Sequence, residues 1–306
     1  MSGGLVALYG AVRGLIFVGL LLLVGSQAAG RVLSGALRGG ADVADPLRRR
    51  LVRLPPLLVS ALLVAVLSRG LLQLLSFVDP GDTVTVELTR SVLLAGTWGH
   101  SWLLQLAALT ATLVVPWRLR DRVGTPDPRI VAGALIILWC QTGMGHAAGA
   151  TWHAPIGRLV DFTHLLGGGL WLGTLGVILV AAVPVLRGDD RLPMLADGVR
   201  TFSVFARTGA ALVVTSGLVA AVVYAGSVNA LLASTWGRLL LVKLGAMLGV
   251  VALGWYNWRV VTPALEGRAI ASADRLRLAI RLELALGLFM LIITTMLVVS
   301  PLPGEG

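Results

Sequence analysis

Three of the chain's four histidines lie in one stretch, "GMGHAAGATWHAPIGRLVDFTHLLGGGLWLG", residues 143–173. His146, His153 and His164 are accompanied there by Met144 and Asp161, with Cys140 one turn ahead of Met144. Imidazole is the commonest protein metal ligand and suits copper, zinc, iron and nickel. Asp161 precedes His164 by one helical turn, so the carboxylate shares its face and can fix the tautomer of a ligating ring. A thioether beside imidazoles favours copper over magnesium or calcium. His146 and His164 flank a short connection between antiparallel helices and form the primary pair. His153, between Trp152 and Pro155, also reads as a solvated loop residue. His100, the fourth histidine, follows Trp98 and Gly99 and also reads as part of an interfacial aromatic anchor.

The elements that must position these groups are set by the solvent. Hydrophobic residues make up 57% of the 306 residues and charged residues 13%, about half the share of a soluble domain. Apolar runs of bilayer-spanning length are expected at 5–30, 54–77, 98–117, 129–148, 158–186, 202–225, 237–260 and 281–300. The chain therefore reads as an all-α integral membrane protein, a single domain of about eight transmembrane helices embedded in a lipid bilayer. The stretches near 36–50 and 78–92 read as its sizeable loops. Of the 25 Arg and Lys residues, nineteen fall in the connections after the first, third, fifth and seventh helices and three in the others. Positive charge marks cytoplasmic loops. Both termini and all four histidines are thus expected on the extracytoplasmic side. The net charge of +10 belongs to these loops and does not indicate nucleic acid. One cysteine allows no intramolecular disulfide, and no cleavable signal peptide is expected.

Polar residues inside apolar spans are functional by default, which singles out Lys243, Arg69 and Asn257. Lys243, about two turns into its helix, can either snorkel to the headgroups or point inward to a partner. Glycines 167, 168, 169, 173 and 176 let a neighbouring backbone approach closely and leave room for an ion next to His164. Met247, Met290 and Met296 read as core filler. No Glu stands in a zinc-binding helix motif and no Ser/His/Asp order suggests a hydrolase, so no enzymatic activity is expected.

"GHAAG" followed by "DFTHLLGGGLWLGTL" resembles the paired signature of the copper resistance protein D (CopD) family. "FSVFARTGAALVVTSGLVAA" and "STWGRLLLVKLGAMLGVVALGWYNWRVVTPAL" continue the likeness over roughly residues 90 to 300, with Gly237, Arg238, Lys243, Asn257 and Pro263 on family-pattern positions. The first two helices share only hydrophobicity. The resemblance implies a multi-pass protein of the bacterial inner membrane that handles copper from the periplasm, with a small periplasmic copper-binding partner of the CopC type. Carried over residue by residue, His146 and His164 match best, Trp171 and Lys243 are pattern positions, and His100 and His153 follow; Met144 stands as a further candidate ligand on its thioether alone. Two rival expectations stand beside copper import. One is a bis-histidine haem b protein for electron transfer. The other is a copper-enzyme assembly factor that binds the ion without moving it.

Overall fold

A computed structural model describes residues 3–78, 81–114, 126–145, 154–186, 192–225, 228–261, 263 and 270–300. These are overwhelmingly helical, and no strand occurs among them. The helices are α1 (Gly3–Val32), α2 (Ala41–Leu75), α3 (Val86–Leu93), α4 (Gly96–Val114), α5 (Pro128–Thr142), α6 (Ala154–Ala182), α7 (Leu192–Ala225), α8 (Thr235–Tyr256) and α9 (Ile270–Val299). Short helical turns at Ser34–Leu37 and Val228–Ala233 precede α2 and α8. By length and composition six of these helices can cross a membrane, and the pair α3 and α4, bent by 78°, makes a seventh if counted as one span. α5 has only 15 residues.

Each expected run falls on a helix, but both expected loops contain helix. Residues 41–53 belong to α2, because Val43, Ala44, Leu47 and Leu51 bury on one side of a segment otherwise rich in helix-forming Arg and Leu. The arginines of the other face extend beyond the apolar part, and Arg50 reaches the Val180 carbonyl at 3.1 Å. In the second, Thr85 caps α3 by accepting a hydrogen bond from the Leu88 amide at 3.1 Å. Gly96, at φ +71°, then turns the chain into α4.

The core is built around α1. One apolar cluster joins Ala29, Val32 and Leu33 to Leu47, Leu175, Ile178 and Ile280. A second joins Ile16, Leu20 and Leu23 to Leu62, Trp102, Leu109 and Ile137. α6 carries two π-helical segments, Gly169–Gly173 and Ile178–Ala182. At the first of these α1 comes into backbone contact: a Cβ on Gly25 would strike the backbone of Gly173 and Thr174, and one on Gly173 the carbonyl of Leu21. On the other face a Cβ on Gly167 would lie 2.7 Å from the Gly209 carbonyl of α7. The glycines therefore serve close helix approach, and α1 and α7 fill the clearance once expected to admit an ion.

Candidate metal-binding site

α6 presents Asp161, His164, Gly168 and Trp171 at helical spacing along one stripe. His164 turns toward α7, where its Nδ1 lies 3.0 Å from the Ser216 hydroxyl. That hydroxyl also donates to the Leu212 carbonyl at 2.5 Å, and the Val213 backbone hydrogen-bonds the ring, so α7 fixes the ring's orientation. The charge of Lys243 on α8 lies within electrostatic reach of both His164 and Asp161. Lys243 is half-buried. Asp161 also borders the end of α5: a Cβ on Gly145 would stand 3.7 Å from its carboxylate.

His146 and His153 lie outside the described residues. His100 is exposed on α4. Met144 is buried, and its side chain belongs to the apolar cluster that includes Trp102 and Ile137. Cys140 is buried and free. Among the described residues no group of three or more His, Cys, Asp or Glu side chains is placed to hold a metal. Of the expected site, the structure brings together His164, Asp161 and Lys243.

α5 ends at Thr142, short of the expected 148, because Gly143 and Gly145 interrupt the helix. Its end is held by Arg69, which is fully buried at 0% exposure. The guanidinium donates to Gln141 Oε1 at 3.1 Å and to the Met144 carbonyl at 3.0 Å, over the Trp98 ring. Unpaired helix-end carbonyls in an apolar setting are costly, and Arg69 answers that need for the segment leading to His146.

Two functional groups escaped the reading of the sequence. Ser216 carries no motif of its own. Glu283 is 3% exposed on α9 and accepts from Asn257 Nδ2 at 2.6 Å, and the Trp171 indole donates to it as well. All three line a cavity of about 380 Å³ bounded by α1, α6, α7, α8 and α9. A lone acid in the apolar run "LELALGLFMLII" was the available signal.

Two family models match the chain. The description "Copper resistance protein D-like, N-terminal domain" covers residues 4–154 and "Copper resistance protein D" covers residues 196–297. The chain belongs to the copper resistance protein D family. The N-terminal match extends the likeness to the first two helices, beyond their shared hydrophobicity. The Copper resistance protein D of Pseudomonas syringae pv. tomato is 29% identical over 294 residues, 91% of this chain and 90% of that protein. The Copper transport protein CutJ of Bacillus subtilis is 26% identical over 222 residues, 71% of this chain but only 39% of its own length. No solved structure matches. Membership and the run of apolar helices make this a multi-pass membrane protein with a copper-related function.

Proposed function

We propose that the chain takes copper at its histidine-bearing end and carries it across the bacterial inner membrane. The observation that carries this reading is the His164 ring. It sits inside an apolar bundle with Nδ1 tied to Ser216, beside Asp161 and next to the segment that leads to His146. His146 and His164 are the principal ligands in this reading, Asp161 supports them, and His100, His153 and Met144 contribute less. The chain forms one transmembrane domain of eight passes with both termini outside, receives its ion from a periplasmic protein of the CopC type and performs no covalent chemistry. The haem alternative gains no support from the matched relatives, which are named for copper.

Copper titration of the purified protein tests the site. Removing either principal imidazole should abolish most of the affinity, because one strong nitrogen ligand holds copper poorly. Binding should weaken as the pH falls, because protons compete for the same nitrogens. Equal binding by wild type, His146→Ala and His164→Ala would refute the site, and loss confined to His153→Ala would move it.

A further inference from the structure

The histidine site explains entry and leaves the other half of the membrane without a route. Along α8 and into the π-helical turn Asn257–Val261 that follows it, Lys243, Met247, Val250, Gly254 and Asn257 recur at intervals of three and four, so they share one face. Along α9 the same holds for Glu283, Gly287 and Met290, and along α6 for His164, Gly168 and Trp171. These faces meet. Trp171, Met247 and Met290 pack in one buried cluster with Val250, whereas Met296 is 49% exposed and points away. Asn257 lies fourteen residues beyond Lys243, about 20 Å further from the histidine-bearing end. There Glu283 receives hydrogen bonds from Asn257 and Trp171 at the wall of the cavity.

A buried carboxylate in hydrocarbon is expensive when ionised and needs a cation beside it. Among the described residues none forms an ion pair with Glu283. Arg207, the other charged residue lining the cavity, is exposed and turns its Nε to the Ser203 carbonyl at 3.2 Å. The donors present, an amide and an indole, orient the carboxylate without neutralising it. Two thioethers lie between this group and the histidine site, and thioethers favour Cu(I).

We propose that Glu283 is a second cation station of this protein, which receives Cu(I) past Met247 and Met290 and releases it into the cavity at the arginine-rich end. As the ion arrives, an oxygen–copper contact forms and any proton on the carboxyl group leaves into the cavity. As the ion departs, a proton returns to the same oxygen from the cavity. No electron is exchanged. This inference rests on the reading of the chain as a copper carrier, and the thioether cluster marks where the two stations connect.

The test uses the full chain in proteoliposomes that enclose a Cu(I)-chelating dye, with ascorbate-reduced copper outside, alongside equilibrium copper titration in detergent. Glu283→Gln keeps the shape and the hydrogen-bonding capacity and removes the charge. It should lose copper held at the inner station but keep the binding that depends on His164, while uptake falls about tenfold or more, the loss expected when a charged partner of the ion is neutralised. Met247→Leu with Met290→Leu preserves volume at small cost in stability and should slow uptake with binding intact. Uptake at the wild-type rate in both variants would overturn the inner station while leaving the histidine site standing. Wild-type protein that neither binds nor passes copper would overturn the carrier reading itself, and the station with it. Loss of the binding that depends on His164 together with uptake in both variants would show that these residues merely hold the fold, and would also overturn the proposal.

Discussion

Ser216 gives the histidine site a property that no motif announced. Its hydroxyl lies 3.0 Å from the His164 Nδ1 and also reaches the Leu212 carbonyl. Ser216→Ala should therefore leave the ligand in place but free its tautomer and tilt. Copper titration should show an affinity lower by about 10–100-fold, the usual effect of losing a group that orients a metal ligand; a smaller loss than from His164→Ala is essential to this account. Asp161 and Lys243 form a second testable pair. Each lies within electrostatic reach of the other, so removing either charge alters the surroundings of its neighbour. Melting of Asp161→Asn, Lys243→Met and the double variant in detergent should yield a coupling of about 0.5–3 kcal/mol, and simple additivity would separate the two residues. His164, Asp161 and Lys243 were legible because histidine, aspartate and lysine are rare in apolar runs. Glu283 is equally rare in its apolar run, but it stands alone there, with no second polar residue at helical spacing to mark a site. Ser216 could not be read, since serine inside a helix usually bonds its own backbone and only the packing of α7 on α6 turns it to a ring.

The helices were legible to the extent that hydropathy decides them. All eight apolar runs lie on helices, but hydropathy did not show where charged helix continues past the membrane, as it does from Ala41 into α2. It also missed the break at Thr142, which depends on two glycines and a guanidinium from another helix. The π-helical segments of α6 were invisible as well; the first lies where α1 and α6 touch through Gly25 and Gly173. Gly173→Ala is predicted to destabilise the protein by about 1–3 kcal/mol or more, because its Cβ would meet backbone atoms that have no rotamer to escape into. A lower melting temperature in detergent checks this. Gly245, with nothing within 4 Å of its Cβ direction, is the matched control, and Gly245→Ala should melt no earlier than wild type.

For the molecule as a whole, the arginine bias predicts an orientation, since nineteen positive residues crowd the connections at one end. A reporter fused after Pro303 should be active in the periplasm and one fused near Arg187 in the cytoplasm. The reverse result would place the histidines inside and turn import into export. The contact of Gly25 with Gly173 also sets a schedule for biogenesis. The two glycines are separated by about 150 residues of synthesis, which takes roughly 7–30 s at ordinary elongation rates. Throughout that interval the notch on α1 has no protein partner and must be covered by lipid or by the insertion machinery. The notch on α1 thus waits for α6 while α2 to α5 are made, so quality control in the membrane has time to act on it.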